Sequence, residues 1–392
     1  LKSLIKLTIF LSILSLIILS CSDDPSSIGI DLVGTDNLLV KSFDTQVDST
    51  IQTSSIYKEV VSLGLSSEIF IGKMGNVEAS TLMKFDFILD DSLHSGFLND
   101  SIIIKEAFIK LTPNYTYNDT LQTMDFNVYK ILNYWASSGY TIDSLTSLDH
   151  DIVDLISNKN FTDSLYTLDI DKNIVLSWIK TSIDTNLEKN YGIYFKPAMS
   201  SGKIVGFPGF SLSDTSYTSL TVVIEKAGVY IDTIPGYLTS DVSVIGGELP
   251  ALPGDEIAVQ GGLTVKSKLF FDITDIPENV VINNAQLILT QDTLNSILSK
   301  SGAGSIRIYR IVDGTTDSVD YATTVLMTKS DDVFTGTITS FVDRWINDKD
   351  NQGMVLTTGT QTDNLELIAI KGSNYSNFLE RPQIKVVYSL KE

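Results

Sequence analysis

Few side chains in this chain can do covalent chemistry. One cysteine, Cys21, and two histidines, His94 and His150, stand among 392 residues. Thiolate and imidazole are the usual nucleophile and base of hydrolytic sites. Both histidines sit in short acidic stretches, Asp90-Asp91-Ser92-Leu93-His94 and Asp149-His150-Asp151, and are expected to be solvated. Neither a Cys/His pair nor a Ser/His/Asp set is therefore indicated. Carboxylates are so abundant, 48 Asp plus Glu, that a glycosidase-type pair is available everywhere and pointed to nowhere. The expectation is a protein that is not an enzyme. Ser201-Gly202-Lys203 and Gly302-Ala303-Gly304 lack the spacing of a phosphate-cradling loop.

Two stretches begin like calcium loops and fail to complete them. Asp169-Ile170-Asp171-Lys172-Asn173 has Ile174 where a glycine is needed and Lys180 where a bidentate acid is needed. Asp348-Lys349-Asp350-Asn351-Gln352-Gly353 has its glycine but ends at Gly359 without the acid. No cofactor is expected, and a structural calcium held by loop carboxylates is left open.

The thiol has a different setting. Lys2 and Lys6 precede an apolar and hydroxyl run over residues 7–20, shorter than the roughly 18 apolar residues a spanning helix needs. Residues 1–20 therefore read as a removable export signal, with an uncleaved anchor helix as the alternative. Ile18-Leu19-Ser20-Cys21 looks like the bacterial lipoprotein box, in which the cysteine is alkylated by diacylglycerol and becomes the first mature residue. Several acyl chains, at about 0.8 kcal/mol per buried methylene, would hold the chain to a membrane through that residue. Residues 21–36 then form an acidic linker with Pro25, Ser26, Ser27 and Gly29. Ser22-Asp23-Asp24 fits either a plain linker or the surface-export signal of Bacteroidetes lipoproteins. The expected address is the outer membrane, lipid-anchored, at the cell surface or facing the periplasm.

The net charge of −20 opposes binding to nucleic acid, which requires cations to displace counterions. Recurrent Asp-Ser/Thr-apolar triplets, among them Asp91-Ser92-Leu93 and Asp143-Ser144-Leu145, fit ordinary turn chemistry and also resemble the O-glycosylation acceptor of Bacteroidetes.

The chain also matches itself. Thr81-Leu82-Met83-Lys84-Phe85-Asp86 parallels Ser267-Lys268-Leu269-Phe270-Phe271-Asp272, and Ile104-Lys105-Glu106-Ala107-Phe108-Ile109-Lys110-Leu111 parallels Ile282-Asn283-Asn284-Ala285-Gln286-Leu287-Ile288-Leu289. Phe126-Asn127-Val128-Tyr129 pairs with Ile306-Arg307-Ile308-Tyr309. Ile174, Val175, Trp178 and Ile179 answer Phe341, Val342, Trp345 and Ile346 at helical spacing. Asn190-Tyr191-Gly192 answers Asn351-Gln352-Gly353, and Leu220-Thr221-Val222-Val223 answers Ile384-Lys385-Val386-Val387.

Alternation at period two makes Ala107, Ile109, Leu111, Val128, Ala285, Leu287, Leu289 and Ile308 the candidate core. The expected architecture is all-β in the main: two tandem antiparallel β-sandwich or jelly-roll domains, each with one short Trp-bearing helix. Their boundaries are placed at 37–226 and 227–392, the first carrying an insertion over about 133–171.

The order of a Phe-Asp strand, an Ile-x-x-Ala-x-Leu-like strand, a Val-Tyr strand, a Trp helix and Asn-x-Gly resembles the DNRLRE-type domain. The resemblance implies a secreted bacterial jelly-roll module, some members being classed as carbohydrate-binding. Cys21-Ser22-Asp23-Asp24 with Ile28-Gly29-Ile30-Asp31-Leu32-Val33-Gly34 is similar to an uncharacterised Bacteroidetes lipoprotein family. Two function classes follow. The first is binding of a glycan or another cell-surface polymer, with Tyr115, Tyr117, Tyr134, Trp135 and Tyr140 as stacking aromatics. The second is a structural or assembly subunit that docks envelope proteins.

Overall fold

The computed structural model describes residues 39–48, 50–118, 121–210, 218–299 and 304–390. Cys21, the box residues Ile18, Leu19 and Ser20, and the linker lie outside the described residues. The fold is mainly β, with two antiparallel sheets. In chain order come β1 (Val40–Asp44), β2 (Gln52–Lys58), β3 (Glu68–Met74), β4 (Val77–Asp86), α1 (Asp91–Leu98), β5 (Ile102–Leu111), β6 (Tyr115–Tyr117), β7 (Phe126–Lys130), α2 (Ile142–Leu145), β8 (Ile156–Phe161), β9 (Tyr166–Ile170), α3 (Lys172–Ile183), β10 (Ile193–Pro197), β11 (Ile204–Pro208), β12 (Ser219–Lys226) and β13 (Tyr230–Gly246). Next are β14 (Glu256–Gln260), β15 (Val265–Phe271), β16 (Val280–Ile297), β17 (Ile306–Asp313), β18 (Ser318–Leu326), β19 (Thr328–Ser330), β20 (Val333–Thr337), α4 (Thr339–Asn347), β21 (Met354–Thr358), β22 (Leu367–Lys371) and β23 (Gln383–Leu390).

The first sheet runs β6-β11-β3-β4-β13-β12-β5-β9-β8, with β10 joining β4 to β7. The second runs β1-β23-β16-β22-β14-β15-β21-β17-β18, with β2 on β15 and β20 between β16 and β19. Alternation does what pleating requires: Ala107, Ile109, Leu111 and Val128 enter one apolar cluster, and Ala285, Leu287, Leu289 and Ile308 enter another. Complete burial of one such aliphatic side chain contributes about 1.5–3 kcal/mol.

The repeated segments are paired alike. Val222 faces Ala107 and Leu220 faces Ile109, as Val386 faces Ala285 and Ile384 faces Leu287. The register slips by one residue at Lys105 in one pair and at Asn283 in the other, a β-bulge at matching positions. The Asn-x-Gly turns repeat bond for bond. Asn190 Nδ2 donates to Phe85 O at 2.6 Å and Asn351 Nδ2 to Phe271 O at 2.9 Å. Each asparagine Oδ1 then accepts its own glycine N–H, from Gly192 at 2.9 Å and from Gly353 at 3.2 Å. These glycines have φ of 87° and 82°, and a Cβ would lie 2.1 Å from Met83 O or 2.5 Å from Leu269 O. Glycine is needed on both counts.

The sheets do not divide at residue 227 as expected. β13 pairs with β12 and β4 of the first sheet, whereas β1 and β2, from the start of the described chain, pair with β23 and β15 of the second. Ile234 opposite Val222 corresponds to Phe43 opposite Val386, and Asp241 opposite Met83 to Ser54 opposite Leu269. Each half of the chain is thus completed by the strand segment that precedes the other half. A chain-order boundary cannot show this, because a strand's sequence does not name its partner.

Candidate functional site

A cleft of about 660 Å³ opens beside the Asn190 turn. Four separate parts of the chain build it. The end of β4 supplies Lys84 and Asp86, whose Nζ and Oδ2 lie 2.8 Å apart, and Thr239 Oγ1 of β13 donates to the same Oδ2 at 2.9 Å. Helix α3 supplies Trp178, Thr181 and Ser182.

That helix forms because Asp171 caps it, its Oδ1 accepting Asn173 N–H at 2.6 Å and Ile174 N–H at 3.4 Å. Its apolar face, Ile174, Val175, Trp178 and Ile179, is buried, which turns Thr181 and Ser182 toward the opening. Asp171, one acid of the calcium-like stretch, is therefore occupied as a helix cap. In the other such stretch, Asp350 is paired with the Arg310 guanidinium. Among the described residues no group of three or more His, Cys, Asp or Glu is arranged to hold a metal ion.

The insertion supplies the third wall with Tyr134, Trp135 and Ser138. Trp135 is anchored by its Nε1, which donates to Tyr191 O at 2.7 Å, and it meets Tyr140 edge-on at 6.2 Å. Lys189 and Tyr191 close the rim, the latter beside the turn. Hydroxyls, an amide, an ion pair and aromatic rings thus surround one opening. The volume lies within the roughly 300–1,000 Å³ of small-ligand sites.

The five aromatics expected to form one stacking row are not brought together. Tyr134 is 77% exposed at the cleft, while Trp135 is only 9% exposed. Tyr140 is buried against the β13 face with Leu82, Val242 and Val244, and burial pushes its phenol up to about 12. Tyr117 is 2% exposed and its OH accepts Gln260 Nε2 at 3.0 Å, while Tyr115 OH accepts Leu365 N–H at 3.0 Å. Burial raises both phenols above their ordinary range. Those two rings join the halves of the chain, in a cluster with Phe70, Val77, Leu263 and Leu365. The row fails because β6 and the insertion are different elements, and closeness in sequence does not survive the intervening β7.

The histidines are placed differently from the solvated loops expected of them. His94 lies on α1, half-buried, with Nδ1 3.8 Å from Asp91. His150 stacks on Tyr129 at 5.1 Å and tilts against Tyr194 at 5.3 Å. Neither lines the cleft.

Sequence reasoning missed Lys84, Trp178, Lys189, Tyr191 and Thr239 as cleft residues. The available signal was the repeat: Phe85-Asp86 and Asn190-x-Gly192 recur together, and their hydrogen bond holds the Asn190 turn against the end of β4. No protein-family model matches this chain, and neither a curated protein nor a solved structure was found to match it.

Proposed function

We propose that this chain is a non-catalytic binding protein of a bacterial cell envelope, lipidated on Cys21, that holds a glycan in the cleft at Tyr134. The observation that carries the reading is the composition of that cleft. An exposed phenol ring stands at the mouth of a wall of Thr, Ser, Asn and Lys side chains. Sugar rings present both apolar C–H faces and hydroxyl edges, and such a wall answers both.

In this reading the mature protein consists of two related β-sandwich units of jelly-roll kind, similar to DNRLRE-type domains. The recurring bulge and Asn-x-Gly bonding support the relation between them. The units stand on a short acidic tether at the outer membrane. A glycan array probed with residues 22–392 tests the binding. Selective retention of one glycan class, lost about tenfold in Tyr134→Ala, is expected. Retention unchanged by that substitution would remove the cleft from the reading. Cys21→Ala should release unlipidated protein or stall its processing, and continued membrane retention with normal cleavage would refute the anchor.

A second reading, a structural or assembly subunit docking other envelope proteins, is favoured by the burial of Tyr117, with Tyr115 half-buried beside it, between the halves. Those rings stiffen the chain instead of meeting a ligand. A blank array leaves this reading ahead.

A further inference from the structure

The outer face of the first sheet around Tyr129 is closed by the chain's own insertion. His150 stacks on Tyr129, and Trp135, Tyr140 and Leu148 pack over Tyr194 and Val242. The second half has no such insertion. Its matching ring, Tyr309, pairs with Val355 across β17 and β21, as Tyr129 pairs with Tyr194 across β7 and β10. Here the face stays open as a groove of about 270 Å³.

Two more rings reach it from other strands. Tyr321 of β18 is 74% exposed and meets Tyr309 edge-to-face, with centroids 5.5 Å apart. Tyr57 comes from the exchanged strand β2, so the groove exists only because that strand completes the second half. Its phenol is pushed up to about 12, chiefly by burial, and remains a protonated donor at neutral pH.

The groove's charged groups already have partners within the chain, two lysines on acids and one on a backbone carbonyl. Lys266 is paired with Glu59, Lys268 Nζ lies 2.5 Å from Asp317 and 5.0 Å from the Tyr57 ring, and Lys58 Nζ donates to Gly247 O at 2.8 Å. A charged ligand would have to break the two ion pairs or pull Lys58 from its carbonyl. An uncharged polyhydroxylated ring would not, and it could stack on phenol faces while its hydroxyls meet the paired charges.

We propose that the Tyr57, Tyr309 and Tyr321 groove is a second carbohydrate site, specific for a neutral sugar residue and separate from the Tyr134 cleft. It rests on the glycan-binding reading and deepens it: one chain would grip one polymer at two places, and two weak contacts on one chain act together at high effective concentration.

The test is isothermal titration of residues 22–392 with neutral β-glucan, xylan and mannan hexamers. For at least one of them, either a stoichiometry of two or, where one hexamer bridges both sites, a stoichiometry of one weakened by Tyr134→Ala and Tyr321→Ala alike is expected. Tyr321→Ala should weaken one site about tenfold, Tyr321→Phe should leave it intact, and Tyr134→Ala should remove the other. Tyr321 is exposed, so its truncation should leave the melting temperature unchanged. One site that is lost in Tyr134→Ala and indifferent to Tyr321→Ala overturns the second site and keeps the cleft. One site lost in Tyr321→Ala and indifferent to Tyr134→Ala supports the groove and overturns the cleft. No heat with any hexamer overturns both.

Discussion

Asp241 sits on β13 with its carboxyl buried, accepting the N–H of Phe210 at 2.5 Å. Burial pushes its pKa up to about 6, while the hydrogen bond from Phe210 pulls the other way. The folded chain therefore holds this proton more tightly than the unfolded chain, whose aspartate titrates near 3.8. The stability it contributes is fully present below pH 4 and is lost as pH rises through about 6. The loss amounts to about 3 kcal/mol at roughly 1.4 kcal/mol per unit. Urea unfolding of wild type and Asp241→Asn at several pH values should show the wild type falling relative to the variant across that window. Parallel profiles would show that the carboxyl ionises freely in the fold. Nothing in the sequence around Asp241 announces this burial. The same holds for Lys371, whose Nζ lies 2.9 Å from Glu256 and 2.6 Å from Asp292. Those three residues come from β22, β14 and β16, and only the strand order brings them together. By contrast Asn190, Gly192, Asn351 and Gly353 were legible, because a positive-φ turn restricts residue type locally and the restriction recurs.

The strands of the core were legible as elements, since period-two alternation is a local property of Ala107, Ile109 and Leu111 or of Ala285, Leu287 and Leu289. Their partners were not. β1 and β2 read as the first strands of the first unit, yet they complete the second sheet. Deleting residues 39–58 would remove buried Phe43 from the second core and open the edges of β15 and β23. Hydrogen exchange on the truncated chain should show protection lost in β15, β16 and β23 and kept in β5 and β12. A synthetic peptide of residues 39–58 should restore it. Equal protection in the truncated and intact chains would mean that the exchanged segment adds nothing to the second core. The insertion was legible as an interruption of the repeat, but its role was not. It covers the β7–β10 face with Trp135, Tyr140 and Leu148, and of its aromatic rings Tyr134 is the exposed one at the cleft.

For the molecule as a whole, the reciprocal strand exchange and the buried junction of Phe70, Tyr117, Leu263 and Leu365 tie the halves to each other. Ser66 Oγ donates to Thr362 O at 2.9 Å, and Gln260 reaches Tyr117, so polar bonds reinforce the apolar contact. Under the proposed reading of a glycan-binding protein on a lipid tether, such stiffness is an advantage, because sites held at a fixed separation lose less freedom on meeting an extended polymer. The Tyr134 cleft is proposed to take a sugar, and two rings that line it report on its occupancy directly. Trp135 and Trp178 line the cleft, whereas Trp345 belongs to the other half. The most direct measurement is tryptophan emission while a retained oligosaccharide is titrated into residues 22–392. A saturable change in intensity that is reduced in Trp135→Phe and in Tyr134→Ala is the predicted result. Emission that stays flat while binding is seen by calorimetry would contradict the claim.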